Sequence, residues 1–237
     1  MQRVNYKDLG VISYKEAWDL QESVLGDNLL LKSDARKNKP EATAAAIDTH
    51  HHLFLCEHPP VYTLGKSGNI QNVLLSEAAL QEKGIEFFKT NRGGDITFHG
   101  PQQLVGYPIL DLEKMNTDIG WYLRNLEETV IRTIAIFGIK GERSAGETGV
   151  WIEPDKPGKE RKICAIGVRC SRWITMHGYA LNVNTDLQYF DYIIPCGIQN
   201  KQVTSMQKEL GEKVDMESLK KIYCQQFEEV FQVSLLH

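Results

Sequence analysis

Between Lys162 and Ile198 the sequence alternates apolar runs, small residues and turn breakers: KICAIGVRC, MHGYALNVN, then DYIIPCGI. Runs of this length rich in Ile, Val and Tyr, bounded by Gly, Pro and Asn, read as strands rather than helices. Further strand-like runs lie at Val4–Ile12, His52–His58, Val61–Gly65, Ile85–Thr90, Ile96–His99, Leu104–Leu112 and Val150–Ile152. The first of them reads as a short edge strand.

Helical spacing is confined to a few places. Ser13 to Glu16 has the S-x-x-E form of a capping box, and Tyr14, Ala17, Trp18, Gln21, Val24 and Leu25 follow at helical intervals to about Leu31. Ser33 to Pro40 reads as a charged loop, and Ser76 to Lys83 as a short helix stopped by Gly84. Ile119, Leu123, Leu126, Val130, Ile134 and Phe137 form one stripe, stopped by Gly138. Asp215 caps a last helix. Many strands and few helices, in no steady β-α-β order, predict an α+β fold: a mixed or antiparallel sheet with flanking helices on one side. No repeat and no linker divides the chain, so residues 1–237 are expected to form one catalytic domain.

A chain of 237 residues with 42% apolar and 24% charged residues needs no staples to bury a core. The net charge of −4 argues against broad nucleic-acid binding. No apolar segment is long enough for a membrane span, and the opening MQRVNYKDLG lacks an apolar signal core. Five cysteines without a C-x-x-C pair fit reduced thiols in the cytoplasm. His50-His51-His52 enters a strand, where successive side chains point to opposite faces. They cannot all ligate one ion from there, and no metal site is expected.

Two places carry candidate chemistry. Around Arg92-Gly93-Gly94, an arginine, an aspartate (Asp95), a threonine (Thr97) and a histidine (His99) converge on two glycines, as in a binding loop. The plain alternative is a hairpin with a glycine turn. In the second place, strand alternation puts Lys162, Cys164, Ile166, Val168 and Cys170 on one face. Lys162 either sits at the strand end with its ammonium in water, or is buried and serves as a base. Cys196 lies between Pro195 and Gly197, at a strand end or turn where a thiol can be exposed. A free thiol titrates near about 8.5 and needs a base or cation beside it to act as a nucleophile. Lys162 is the first candidate; His99 and His177 are the alternatives. A thioester on Cys196 would transfer an acyl group without ATP.

These residues carry a resemblance. EHPPVYTLG (57–65), RGGDITFHGPQQLVGYPI (92–109), GVW (149–151), KICAIGVR (162–169), HGYALNVNTDLQYFDYIIPCGI (177–198) and VTS (203–205) together resemble the lipoate-biosynthesis octanoyltransferases, or lipoyl(octanoyl) transferases. Gln102 departs from the glycine usual after H-G-P, and the charged 32–46 segment is an elaboration. The resemblance implies the fold of biotin and lipoate protein ligases. It implies octanoyl transfer from acyl carrier protein, through a thioester on Cys196 activated by Lys162, to a lysine of lipoyl domains. The acceptors would be the lipoyl domains of 2-oxoacid dehydrogenases and the glycine cleavage H protein. No cofactor is implied, and no nucleic acid or membrane partner. By position the acyl pocket would be lined by Arg92, Gly93, Gly94, Asp95, Ile96, Thr97, Phe98 and His99. Ala165, Ile166 and Gly167 would form a second wall, and Gly178, Tyr179 and Ala180 a third. Lys156, Lys159, Arg161, Arg169 and Arg172 form a candidate basic docking cluster for an acidic carrier. The rivals are an ATP-dependent lipoate or octanoate ligase, whose usual R-R-x-x-G-G-G signature is absent, and a non-catalytic carrier-binding module.

Overall fold

The protein is seen as a computed structural model that describes residues 1–38, 43–194 and 202–237. β1 (Gln2–Val11) leads into α1 (Tyr14–Asn38). The Ser13 hydroxyl accepts the Glu16 N–H at 3.2 Å and donates to the Glu16 carboxylate at 2.6 Å, which starts the helix where the capping box predicts. β2 (His51–Glu57) and β3 (Val61–Leu64) are split by Pro59-Pro60, which cannot donate to a ladder. α2 (Glu77–Glu82) is capped by Ser76 and leads to β4 (Glu86–Lys89). β5 (Ile96–His99) and β6 (Gln103–Ile109) precede α3 (Ile119–Ile136), whose first N–H groups are taken by the Asp118 carboxylate. β7 (Val150–Ile152), β8 (Arg161–Ser171) and β9 (Ile174–Asn182) follow. Then come β10 (Gln202–Val203), α4 (Met206–Leu210), α5 (Met216–Phe231) and β11 (Val233–Leu236). Among the described residues no helix is long and apolar enough to cross a membrane.

The described strands form two sheets. The larger has eight strands in the order β10-β8-β9-β6-β2-β1-β11, with β7 also paired to β8; the smaller has the order β4-β3-β5. Pairing is mixed: β1 is parallel to β2 and β11, whereas β2, β6, β9 and β8 are successively antiparallel. β1 is therefore interior and not the edge strand expected, because β11 covers it. β11 itself follows α5 directly and is too short to show alternation.

Helices cover both faces of the large sheet, not one. Leu53 and Leu55 of β2 face a core with Leu126 and Val130 of α3 and Leu219 and Phe227 of α5. Phe54 and Cys56 face the other way, against Ala17 and Leu25 of α1. A strand buried on both faces reads as a continuous apolar run, as HLFLC does.

β5 and β6 are not a hairpin. β5 pairs with β3 in the small sheet and β6 with β2 and β9 in the large one, so the chain crosses between sheets at Gly100-Pro101-Gln102. Gln102 sits at φ +60, which explains why glycine is usual there. Its N–H reaches the Glu57 carboxylate at 2.6 Å, and its carbonyl accepts from Asn184 N (3.0 Å) and the Thr185 hydroxyl (3.1 Å). Those bonds offset the strain of a side chain in the left-handed region.

α1 also runs past its predicted end, and Ser33 to Arg36 is helical. Lys32 is the reason. It is fully buried, and its Nζ donates to Asp111 Oδ1 (2.7 Å), Glu113 Oε2 (2.9 Å) and the Arg172 carbonyl (2.9 Å) in the β8–β9 turn. Breaking a buried ion pair by removing one partner costs about 3–5 kcal/mol. Lys32→Met, which strands buried Asp111, is expected to lower the unfolding free energy by that order and the urea midpoint with it. An unchanged midpoint contradicts this role for Lys32.

Candidate active site

β8 carries a one-residue bulge where β7 meets it. Val150 lies opposite Cys164 but Trp151 opposite Lys162, so Ile163 has no partner of its own. Ile163 and Cys164 both enter the core. Strict alternation would put Lys162 with Cys164; the bulge instead puts Lys162 with Ala165 on the wall of a cavity of about 440 Å³. Lys162 is half-buried, and its Nζ lies 4.5 Å from the centroid of the Trp151 ring, a geometry that attracts an ammonium. Both sequence alternatives are thus replaced by a lysine held on an aromatic face inside a cavity. Gly149 closes over it at φ +119, with its Cα too near the Cys164 carbonyl to bear a side chain. Buried Glu127 holds this turn by accepting the Gly149 N–H at 3.0 Å.

The cavity lies between the two sheets, with Ile96, Thr97 and His99 of β5 on one side and residues 165–168 of β8 and 177–180 of β9 on the other. Gly167 faces Gly178 across the ladder. A Cβ on Gly178 would sit 2.1 Å from the Gly106 carbonyl, so three strands approach more closely here than side chains permit. The glycine-rich loop is clasped from both sides: Gly93 N donates to Val168 O (2.9 Å), and Lys66 N to Arg92 O (2.9 Å). Buried Arg92 turns its guanidinium onto the Thr63 carbonyl and hydroxyl and onto Gly93 O.

The histidines beside the cavity are engaged by the protein: both ring nitrogens of His99 and His58, and Nε2 of His177. Gln103 Nε2 donates to Phe98 O (3.1 Å) and Asn182 Oδ1 (2.8 Å), so Gln103 Oε1 accepts from His99 Nδ1–H (3.0 Å). His99 Nε2 then accepts from the Thr63 hydroxyl (3.3 Å), the same oxygen that receives Arg92 Nε. Burial first, then the charges around it, push the His99 imidazole well below its ordinary value. His58 donates from Nδ1 to Ile12 O (2.8 Å) and accepts at Nε2 from Tyr107 OH (2.7 Å); burial lowers it to about 4. His177 Nε2 contacts Asn91 Oδ1 at 2.7 Å, and burial with Arg92 and Arg169 nearby lowers it to about 3. His177 also takes φ +59, turning its N–H to Gln21 of α1 (2.9 Å). Neither His99 nor His177 is placed as a base for neutral pH, and Lys162 is the candidate base that faces the cavity.

The other expectations divide. Arg92, Gly93, Gly94, Asp95, Ile96, Thr97, His99, Ala165, Ile166, Gly167, Gly178, Tyr179 and Ala180 all line this cavity. Phe98 does not. It points to the far face of β5 and stacks on Tyr189 at 4.6 Å, as strand alternation requires of a residue between Thr97 and His99. Cys196 lies outside the described residues. Within the basic cluster, Lys156 pairs with Glu153, Arg161 with Glu153 and Glu209, and Arg169 with Glu22. Tyr14, Gln103, Trp151 and Asn182 line the cavity but were not picked out. Gln103 and Asn182 carried a signal, polar side chains inside otherwise buried strands; Tyr14 was indistinguishable from core.

The low folded-state values of His58, His99 and His177 set a sign for pH. Each lies below the unfolded value of about 6.5, so their contribution to stability is complete above that pH. It falls as pH drops toward about 4 for His58 and about 3 for His177. Ring-nitrogen NMR at pH 5.5 is expected to find all three imidazoles neutral. An imidazolium at His99 at that pH contradicts the hydrogen-bond assignment.

Comparison with known proteins places this geometry. Residues 13–228 match the model of the lipoyl protein ligase A/B catalytic domain. An octanoyltransferase of Christiangramia forsetii is 53% identical over 235 residues, covering 99% of this chain and 98% of its own. One of Flavobacterium johnsoniae is 51% identical, covering 99% of both. Among solved structures, a bi-partite lipoate protein ligase of Thermoplasma acidophilum superposes with a TM-score of 0.71 at 14% identity, over 100% of this chain and 87% of that one, which shows a shared fold. The chain belongs to the lipoyl protein ligase A/B catalytic-domain family, on its octanoyltransferase branch.

Proposed function

We propose that the protein, acting as one catalytic domain, transfers an octanoyl group from acyl carrier protein to a lysine of lipoyl domains. The route is a thioester on Cys196, with Lys162 as the proton carrier. The observation that carries this reading is Lys162 itself, held by Trp151 in the wall of a cavity whose β8 and β9 sides include Ala165, Ile166, Gly167, Val168, Gly178 and Ala180, beside His177 and Tyr179. The small and apolar part of these walls suits a straight alkyl chain, and the lysine marks the end where its carbonyl would react. The names of the relatives support an octanoyl group as the cargo.

The proton steps balance with one base. Neutral Lys162 accepts the Cys196 S–H proton, and the thiolate attacks the carrier's thioester carbonyl. The carrier sulfur leaves with the proton from the Lys162 ammonium. The acceptor lysine, ordinarily charged with a pKa near about 10.4, must arrive neutral or lose its proton on binding. Its nitrogen attacks the Cys196 thioester, Lys162 takes the proton the nitrogen sheds and hands it to the departing Cys196 sulfur, and the amide leaves with Cys196 restored to the thiol. Thioester to thioester is nearly isoenergetic and thioester to amide is downhill, so no nucleotide is needed. The engaged histidines leave this role to Lys162.

Octanoyl-acyl carrier protein mixed with enzyme and a lipoyl domain is expected to give octanoylated domain without ATP, while free octanoate with ATP gives none. The opposite pattern identifies a ligase, and carrier binding with neither product a binding module. Lys162→Ala is expected to slow both half-reactions by roughly 10²–10⁴-fold, the usual worth of a positioned acid–base group. A Lys162→Ala enzyme with wild-type rates removes Lys162 from the mechanism.

A further inference from the structure

Asp95 belongs to the cavity wall, yet its carboxylate is turned away from a substrate's path. Oδ1 accepts from Ile96 N (2.7 Å) and Asn69 N (3.2 Å), and Oδ2 accepts from Asn72 Nδ2 at 2.6 Å. Both oxygens are therefore spent on the 65–74 segment that follows β3. That segment carries a second load. Asn72 O accepts from Ile194 N (2.8 Å), Leu74 N donates to Tyr192 O (2.9 Å), and Val73 bridges Ile193. A carboxylate in the glycine-rich loop is thus two hydrogen bonds from Ile194, the last described residue before the 195–201 stretch. Other supports of this run include Tyr62 OH, which donates to Tyr189 O (2.6 Å), Phe98, which stacks on Tyr189, and Lys83, whose ammonium lies over the Tyr192 ring.

From this connection we infer that Asp95 is a positioning residue, which fixes the 187–194 run, through Asn72, ahead of the stretch that carries the proposed nucleophile Cys196. The inference rests on the thioester reading above and replaces the expectation that Asp95 contacts the acyl chain. The chemistry of the contact is specific. Asn72 supplies the donor and Asp95 the charged acceptor, and the Asn72 backbone carries the bond onward to Ile194. A reciprocal exchange of the two side chains preserves the contact, while a single replacement does not.

The test compares wild type, Asp95→Asn, Asn72→Ala and the double exchange Asp95→Asn with Asn72→Asp. Three readouts are taken: kcat and KM for octanoyl-acyl carrier protein, the pH profile of iodoacetamide labelling mapped to Cys196, and the thermal midpoint. Asp95→Asn faces two amide donors toward each other and is expected to lower kcat about tenfold with KM little changed, as loss of one charge-assisted hydrogen bond allows. Labelling of Cys196 should shift in parallel. Asn72→Ala should show the same pattern and serves if Asp95→Asn does not fold. The exchanged pair should return to within about threefold of wild type. A folded exchanged pair that stays as slow as Asp95→Asn overturns the inference, because position 95 then needs the carboxylate itself. Wild-type kcat and labelling in either single variant overturn it too. If wild type forms no acyl-enzyme while the labelling pattern holds, the thioester reading fails and the positioning role stands.

Discussion

The hydrogen bond from His99 to Gln103 is the contact on which the site depends, because it joins the two sheets. His99 is on β5 of the small sheet and Gln103 on β6 of the large one, and the chain runs unbroken on both sides of them. Arg92 holds Thr63, Thr63 holds His99, His99 holds Gln103, Gln103 holds Asn182, and Asn182 Nδ2 donates to the Thr204 carbonyl at 3.0 Å. Thr204 N in turn donates to the Lys162 carbonyl (3.0 Å). The glycine-rich loop and the candidate base are the two ends of one polar line. A buried polar line of this kind is stabilising only when every member is satisfied, and the neutral His99 tautomer is the one that satisfies it. This is also why His99 is a poor candidate for the chemistry: both its ring nitrogens are spent on holding the walls.

Backbone irregularity does the rest of the placing. The bulge at Ile163 turns Lys162 into the cavity, and the crossing at Gln102 sends the chain from one sheet to the other. The positive φ of His177 gives α1 a grip on β9 through Gln21. Each departs from regular strand geometry, and each lies within a few residues of the cavity. Strain of this kind persists where surrounding contacts determine it, as the bonds to Gln102 and His177 do.

Much of this was legible in the residues, and the misses have physical causes. The helix starts at Ser13 and Asp215 were readable from their caps because capping is local chemistry. The glycine loop and Lys162 stood out by composition, and the family resemblance singled out the same stretch. α1's extra turns were not readable, since they depend on a lysine finding carboxylates at Asp111 and Glu113 far along the chain. The face of Lys162 was misjudged because a bulge has no signature in alternation. The ion pairs within the basic cluster were not readable, because the acidic partners Glu22, Glu153 and Glu209 are scattered in sequence. β11 and the two-sided helix packing are likewise consequences of long-range pairing.

The account turns on one covalent species. Intact-protein mass spectrometry of the enzyme mixed with octanoyl-acyl carrier protein, without ATP and without acceptor, tests it most directly. The account predicts a single octanoyl adduct that maps to Cys196, is cleaved by neutral hydroxylamine as a thioester is, and disappears when a lipoyl domain is added. An enzyme that carries no adduct yet octanoylates the lipoyl domain, or one whose adduct maps to another residue, contradicts it.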